Sequence, residues 1–180
     1  MLLVVGLGNP IPEYGNTRHN AGAIFVERLL NKVVDGPTAG FAFHKHQEKF
    51  EALLDEVNGD VLQREKIFLL RPQTYMNSSG RSVAACLNFF KMTNKNLLVA
   101  HDELELPFGE IKIKNGGGHG GHNGVRSIHQ SLNTNEYTRV RIGIGRPPEG
   151  IAVRDYVLGK FDKQERELLN QKIDSMLDNF

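Results

Sequence analysis

The sequence has little cysteine, no long apolar run and almost no net charge. Cys86 is the only cysteine, which excludes an internal disulfide and fits a reducing cytosol. No apolar run approaches the ~18 residues of a membrane span, and the first residues enter an apolar strand without the basic segment of a signal peptide. We therefore expect a cytoplasmic protein that does not insert into a membrane.

Several motifs of metal and nucleotide chemistry are also missing. The chain has no CxxC and no HExxH; His119 and His122 are spaced to ligate a metal, but the glycines around them would hold ligands poorly. The glycine-rich segment lacks a Gly-Lys-Ser/Thr ending, which disfavours nucleoside triphosphate binding. Gly6 and Gly8 follow a predicted strand, but Ile11 stands where a dinucleotide fingerprint needs its third glycine. No metal is expected.

The length and the apolar pattern predict one α/β domain. A chain of 180 residues suffices for one substantial core and is short for two ordinary domains. Continuous apolar runs at 2–8 and 96–100 predict strands buried on both faces, and amphipathic segments between the predicted strands indicate helices. We expect a single domain, 1–180, in which helices flank a mixed, twisted β-sheet.

Turn residues predict the connections in the first half of the chain. Asn58-Gly59-Asp60 predicts a hairpin between strands at 50–57 and 66–70. Residues 35–46 combine glycine, proline and histidine without periodicity, which predicts a loop. Cys86 lies among apolar helix positions with no base near it in sequence, so it is expected to be a buried residue rather than a nucleophile.

The most unusual segment is 115–124, which contains six glycines. So many glycines cost entropy on folding unless the bare backbone is itself needed. An alternating strand before it places Lys112 and Lys114 on one face, and a helix is predicted after it with Asn123 as N-cap. Backbone amides, a helix N-terminus and two ammonium groups suit an anion, although a tight strand-to-helix connection is the plainer interpretation.

A local surplus of positive charge surrounds this segment. Residues 108–147 carry six basic and two acidic side chains, although the net charge of the whole chain is only +1. Residues 138–145 alternate like a strand, with Arg139 and Arg141 on one face. The pattern favours local binding of phosphate groups over general adhesion to nucleic acid; a solvated basic face is the alternative.

Polar residues follow three predicted strands where each strand ends. Asn9 and Tyr14 lie after the first strand, Asn77 lies in a polar turn at 75–80, and Asp102 ends a buried strand. Open α/β sheets bind ligands at the carboxyl ends of their strands, so these side chains are candidates for function.

His19 is the candidate base. It falls in the first turn of a predicted helix that Asn16 or Thr17 caps, where the helix dipole would favour neutral imidazole. Asp102 could accept a proton from one ring nitrogen of His19 and leave the other nitrogen basic. The alternatives are a helix-cap or surface histidine, and an Asp102 that caps a helix or forms a surface salt bridge.

Taken in chain order, several segments together resemble bacterial-type peptidyl-tRNA hydrolase, and they extend over most of the chain. They are Val5-Gly6-Leu7-Gly8-Asn9-Pro10, Tyr14, Thr17-Arg18-His19-Asn20-Ala21-Gly22, Tyr75-Met76-Asn77-Ser78-Ser79-Gly80, His101-Asp102-Glu103-Leu104, Gly116 to Gly124, and Arg139 to Pro147.

The resemblance implies a cofactor-free cytosolic esterase that cleaves the ester between peptide and tRNA and so recycles tRNA. It implies that His19 is the catalytic base, that Asp102 holds it in its basic form and that Asn9 helps to distinguish blocked from free aminoacyl groups. The residues implied to contact tRNA are Tyr14, Tyr75, Asn77 and Asn123. Further cleft or basic positions are Met76, His122, Lys112, Lys114 and Arg141.

Among these basic positions, Lys114 and Arg141 are the candidates to clamp phosphates of the acceptor stem. A monomer is expected. Relatives commonly continue beyond the position of Phe180 with a basic tail, so either the tRNA contact of such a tail is absent or the sequence is shortened. One alternative function is that of a catalytically silent RNA-binding protein of the same fold. Another is that of a serine carboxylesterase, but Asn77-Ser78-Ser79-Gly80 does not supply the Gly-x-Ser-x-Gly elbow that such an enzyme needs.

Overall fold

The computed structural model describes residues 1–10, 12–33, 46–58 and 66–179. These residues form a seven-stranded sheet in the order β2-β3-β4-β1-β5-β7-β6. The strands are β1 (Leu2–Gly6), β2 (His46–Gln47), β3 (Ala52–Asn58), β4 (Lys66–Pro72), β5 (Leu97–Glu103), β6 (Ile111–Asn115) and β7 (Thr138–Gly143).

The sheet is mixed, as the sequence predicts. β1 lies between β4 and β5 and is parallel to both, and β7 is parallel to β5. β2, β3 and β6 complete the two sides in antiparallel pairs. Because β4, β1, β5 and β7 are parallel, their carboxyl ends meet at one edge of the sheet, and the polar residues that follow these strands are brought together there.

Helices cover both faces of the sheet. The helices are α1 (Ala21–Val33), α2 (Ser79–Phe89), α3 (Asn123–Leu132), α4 (Val153–Val157) and α5 (Lys163–Asp178). One core contains the buried faces of α1 and α5, and the other contains those of α2 and α3. The apolar period of α1 is confirmed, since Ala21, Ile24, Phe25 and Leu29 are buried. None of the described helices is long and apolar enough to cross a membrane.

Close backbone contacts fix the helices against their neighbours. A Cβ atom added at Gly22 would lie 2.1 Å from the carbonyl oxygen of Ala100, so α1 rests directly on β5. A Cβ added at Gly80 would lie 2.2 Å from the carbonyl oxygen of Ser127, so α2 packs backbone to backbone on α3. Side chains larger than hydrogen would separate these elements. The approach of α1 to β5 sets the distance between His19 and Asp102.

The N-cap of α3 and the exposure of Leu168 differ from the predictions, and the predicted hairpin and loop are only partly among the described residues. The predicted N-cap of α3, Asn123, is its first residue; His122 is the cap, because its ring accepts hydrogen bonds from the amides of Gly124 and Val125. The apolar spacing within 162–180 predicts a helix that buries Leu168 together with Leu169, Ile173, Met176 and Leu177, but Leu168 is 40% exposed. β3 and β4 form the predicted antiparallel pair, whereas the turn at Gly59-Asp60 and nearly all of the predicted loop at 35–46 lie outside the described residues.

Candidate active site

A cleft of about 980 Å³ opens at the carboxyl ends of β1, β5 and β7. It brings together most of the predicted site residues, although they come from six separate parts of the chain. Those that line it are Asn9, Tyr14, His19, Tyr75, Met76, Asn77, Asp102, Lys114, His122, Asn123 and Arg141.

His19 and Asp102 form a buried pair at the floor of this cleft. Nδ1 of His19 lies 2.9 Å from Oδ2 of Asp102, and the residues are 8% and 3% exposed. A carboxylate only accepts, so Nδ1 carries the proton and Nε2 keeps its lone pair. His19 lies in a single 3-10 turn, Arg18–Asn20, before α1 rather than in an α-helical first turn. The arrangement leaves one imidazole nitrogen able to take a proton.

The charge state of His19 differs from the sequence-based prediction. Burial lowers the pKa of His19, but the charge and the hydrogen bond of Asp102 outweigh burial and leave the pKa above its ordinary value. The prediction that a helix dipole would favour the neutral form was wrong, because a carboxylate in direct contact dominates the local field. Neutral His19 therefore prevails only above this raised pKa.

Asp102 holds a second histidine as well. Nε2 of His122 lies 2.7 Å from Oδ1 of Asp102. Nδ1 of His122 accepts from the amides of Gly124 and Val125 at 3.1 and 3.3 Å, so Nε2 carries the proton that points to Asp102. Burial raises the pKa of Asp102, yet His19 and His122 together hold it well below its usual range. The carboxylate therefore stays charged, and each of its two oxygens accepts a hydrogen bond from a histidine.

A third histidine, His101, contacts both the backbone of Asp102 and the ring of His122. His101 is 2% exposed, and its Nδ1 lies 2.7 Å from the backbone carbonyl oxygen of Asp102, to which it donates. Its ring meets that of His122 edge to face, with centroids 5.0 Å apart. Burial first, and then His122, lower the pKa of His101 to about 3. His101 is therefore neutral and adds no charge next to the base.

Two hydrogen bonds with the side chain of Asn20 hold the backbone of Asn9. Asn20 was not among the predicted site residues. The Asn9 amide donates to Oδ1 of Asn20, and Nδ2 of Asn20 donates to the Asn9 carbonyl, both at 2.9 Å. Oδ1 of Asn9 accepts from the amide of Met76 at 2.8 Å. The NH₂ group of Asn9 is thus the part that can donate into the cleft. The adjacency of Asn20 to His19 was the only available signal.

Side chains at the mouth of the cleft are more exposed. Tyr14 and Tyr75 meet edge to face with centroids 6.3 Å apart, and Tyr75 is 60% exposed. Asn77 and Asn123 are both exposed, and Oδ1 of Asn123 accepts from Arg126. Aromatic edges and neutral amides of this kind can contact bases, sugars or peptide groups without requiring a particular side chain in the substrate.

Basic residues form the wall on the β6–β7 side. Lys114 lines the cleft, and Arg141 does so while its Nε donates to Glu103 at 2.8 Å. Lys112 lies outside the cleft and pairs with Glu110 at 2.9 Å. It precedes Lys114 by two residues on an edge strand, which places it roughly 7 Å farther along. Arg139, which was not among the predicted site residues, also lines the cleft.

Two other reactive groups are inert. Cys86 is fully buried, and burial raises the pKa of its thiol to about 12, as expected for a structural cysteine. Ser79 is also fully buried and donates its hydroxyl to the carbonyl oxygen of Met76 at 2.8 Å. Neither residue is placed as a nucleophile.

One group among the described residues has the composition of a metal site. The ligand atoms of His19, Asp102 and His122 all lie within 4.8 Å of one another. In this structure the two imidazole nitrogens already donate to the two oxygens of Asp102, so a metal would have to replace both hydrogen bonds. Proton positions alone account for the geometry, and the expectation of no metal stays a prediction.

An α/β fold with a buried imidazole and carboxylate beside amide donors is an arrangement suited to a hydrolase that uses a general base. The model of the family described as peptidyl-tRNA hydrolase matches residues 3–180. The chain belongs to the peptidyl-tRNA hydrolase family.

Individual relatives agree with this assignment. The chain is 45% identical over 176 residues to a peptidyl-tRNA hydrolase of Geobacter sp. (strain M21), covering 98% of this chain and 87% of the relative. It is 48% identical to one of Pseudomonas putida (strain F1), covering 97% and 86%. The crystal structure of peptidyl-tRNA hydrolase from Acinetobacter baumannii superimposes with a TM-score of 0.86 at 42% identity, covering 99% of this chain and 85% of that one.

Proposed function

We propose that this chain hydrolyses the ester bond of peptidyl-tRNA, releasing the peptide and free tRNA, and that it acts as a single-domain monomer in the cytoplasm. Family membership over residues 3–180 supports the activity. The observation that carries the mechanism is the Asp102 carboxylate, which is bound by His19 on one oxygen and by His122 on the other. This contact leaves Nε2 of His19 as the proton acceptor.

In the proposed reaction, Nε2 of His19 takes a proton from a water molecule as that water attacks the ester carbonyl. The imidazolium then returns this proton to the ribose oxygen as the ester C–O bond breaks. Asp102 stabilises the imidazolium that forms, since its charge lies 2.9 Å away from Nδ1. The NH₂ group of Asn9 donates to the carbonyl oxygen or to the adjoining peptide group. The leaving group is a ribose hydroxyl, a better leaving group than an amine, so one general base with amide donors suffices.

Substrate contacts divide between the two sides of the cleft. Neutral amides of Asn9, Asn77 and Asn123 hydrogen-bond the peptide backbone and the 3′ end, which allows any peptide sequence to be accepted. Met76, His122, Tyr14 and Tyr75 complete this side. On the other side, Lys114 and Arg141 bind acceptor-stem phosphates, and a phosphate on Arg141 takes the place of Glu103. Lys112, paired outside the cleft, has at most a long-range electrostatic effect.

The direct test is release of N-acetylated amino acid from acetyl-aminoacyl-tRNA, with EDTA present, by the wild-type chain and by His19→Ala. We expect chelator-resistant cleavage by the wild type and a loss of about 10²- to 10⁴-fold in the variant. The unacetylated aminoacyl-tRNA is the substrate control and should be cleaved feebly. Circular dichroism of both proteins checks that the variant is folded.

Two outcomes would redirect the proposal. Binding of tRNA by the wild type without any cleavage would indicate the catalytically silent RNA-binding protein. Cleavage of simple esters without RNA, unaffected by His19→Ala, would indicate a general carboxylesterase.

The phosphate contacts have a separate test. Lys114→Ala and Arg141→Ala should raise KM and weaken its dependence on salt while kcat changes little. Equal losses of kcat with an unchanged KM and salt slope would contradict the clamp.

A further inference from the structure

Among the described residues, two arginines are almost completely buried, and only one of them has a counter-charge there. Arg71 is 2% exposed and pairs with Glu27. Arg139 is 3% exposed, and its Nη2 donates to the backbone carbonyl oxygen of Gly116 at 2.9 Å. Among the described residues, no carboxylate lies within ion-pair distance of Arg139, and its Nε has no hydrogen-bond partner. A buried cation with only a neutral partner is costly.

The side chains next to Arg139 do not compensate its charge. His101, Tyr137 and His129 each bury a polar atom that has no hydrogen-bond partner among the described residues. Burial lowers the pKa of both histidines and raises that of Tyr137, so all three are neutral at physiological pH. Glu103 acts on Arg139 only through its field, because its carboxylate is bound to Arg141. Positive charge is therefore held in place without an internal anion.

The glycine-rich turn lies against the guanidinium group of Arg139. Lys114 pairs with Arg139 across the β6–β7 ladder, so the two side chains lie on one face of the sheet. A Cβ added at Gly117 would lie 2.8 Å from Nζ of Lys114 and 3.2 Å from Nη2 of Arg139. The φ angle of Gly117 is +94°, a conformation that favours glycine. Glycine at this position adds no side chain over the two cationic groups, and both side chains line the cleft.

We propose that Arg139, together with Lys114 and the backbone at Gly116–Gly118, forms an anion subsite for a phosphate group of the nucleic acid substrate, separate from Arg141. This inference rests on the proposed function, because the anion is a phosphate of the bound tRNA. Arg139 and Arg141 are two residues apart on β7, so their side chains share a face about 7 Å apart along the strand. Arg141 exchanges Glu103 for its phosphate, whereas Arg139 has no carboxylate to displace.

The test compares binding of uncharged tRNA over a range of salt concentrations, a measurement that needs no catalysis. Arg139→Gln removes the charge but keeps an amide that can donate to Gly116, and Arg139→Lys keeps the charge. Arg81→Gln is the matched control, since Arg81 is an exposed arginine outside the cleft that pairs with Glu51. We expect Arg139→Gln to weaken binding about tenfold or more and to reduce the salt slope by about 1. Arg139→Lys should retain the slope.

A purely structural role for Arg139 would give a different result. In that case Arg139→Gln would have a lower melting temperature but the salt slope of the wild type, or Arg139→Lys would lose as much salt slope as Arg139→Gln. Either result would overturn the subsite. The single-turnover rate of the control Arg81→Gln with saturating enzyme on acetyl-aminoacyl-tRNA should stay within about twofold of wild type, because Arg81 lies outside the cleft. A wild type that binds tRNA with the expected slopes but never cleaves would refute the hydrolase and not the subsite.

A second measurement uses the wild-type chain alone, in case Arg139→Gln does not fold. The Nε–H resonance of Arg139 should be visible by NMR, because the group is buried. Titration with inorganic phosphate, and then with tRNA, should shift this resonance. If tRNA shifts other resonances of the protein but leaves the Arg139 Nε–H resonance unchanged, the subsite is refuted.

Discussion

Replacing Asp102 with asparagine tests the central contact of the site with almost no change in shape. In the wild type, both oxygens of the carboxylate accept, one from Nδ1 of His19 and one from Nε2 of His122. Asparagine offers one acceptor and one donor. One histidine must therefore lose its hydrogen bond or shift its proton to the other ring nitrogen. If that histidine is His19, the nitrogen that faces the substrate carries a proton and is no longer a base.

The size of the effect follows from the distance between the charges. The His19 nitrogen and the Asp102 oxygen are 2.9 Å apart, so the centres of the two charges are roughly 4 Å apart. At an effective dielectric constant of about 20, two unit charges at that distance interact by about 4 kcal/mol. The imidazolium forms in the transition state, and about 1.4 kcal/mol corresponds to a factor of ten in rate. We expect Asp102→Asn to reduce kcat by about 10²- to 10³-fold.

The pH profile gives an independent readout of the same contact. Asp102 raises the pKa of His19 against the opposing effect of burial. Only neutral His19 is a base, so wild-type activity should rise with pH through a pKa above the ordinary value for histidine. In Asp102→Asn the raising effect is gone while burial remains, and the acid limb should move to lower pH. The variant would be slower at every pH and retain a larger share of its activity in acid.

The assay is single-turnover release of N-acetylated amino acid from acetyl-aminoacyl-tRNA, measured from about pH 5 to pH 9. Asp174→Asn is the matched control, because Asp174 is a half-exposed aspartate on α5 that pairs with Arg28 and does not line the cleft. Its kcat and pH profile should equal those of the wild type. An Asp102→Asn enzyme with the wild-type kcat and acid limb would refute the role given to the carboxylate.

Three further predictions concern stability and the second histidine. Gly22→Ala should destabilise the fold by about 1–3 kcal/mol in urea unfolding, because its Cβ would meet the Ala100 carbonyl, whereas Gly118→Ala, with open space around it, should be nearly neutral. Glu27→Ala should lower the free energy of unfolding by about 3–5 kcal/mol, since it leaves the buried Arg71 guanidinium unpaired; a loss below about 1 kcal/mol would contradict that view. His122→Asn can keep the cap of α3 but loses the contact with Asp102, so kcat should fall while the melting temperature stays above that of His122→Ala.

The predictions that succeeded rest on local pattern and on one rule of topology. The apolar runs of β1 and β5 predicted buried parallel strands, and parallel strands end at the same edge of a sheet. For that reason Asn9 and Asp102 could be expected near each other although 93 positions separate them in the sequence. The alternation around Arg139 and Arg141 likewise predicted a strand that the structure contains.

The predictions that failed depend on contacts between elements. The pKa of His19 could not be judged from its place before a helix, because the dominant charge comes from Asp102 on a different strand. His122 lies in the cleft as the family resemblance implied, but Asn123 was wrongly predicted as the N-cap of α3; the cap by His122 and its bond to Asp102 require both elements to be in position. Leu168 fits the apolar period of α5 and yet is 40% exposed, because the period alone does not show how far neighbouring elements cover each position.

The amino-acid sequence by itself determined the strand and helix segments, the glycine-rich turn and the edge of the sheet at which the site lies, because these follow from residue periodicity and backbone preference. The tertiary structure alone decided which side chains touch. It placed two histidines on one carboxylate, joined Asn20 to Asn9 and buried Arg139 with no counter-ion among the residues that the structure describes. Pairwise contacts of this kind depend on distances of a few ångströms between elements, and those distances are set by packing such as that of α1 on β5 and of α2 on α3.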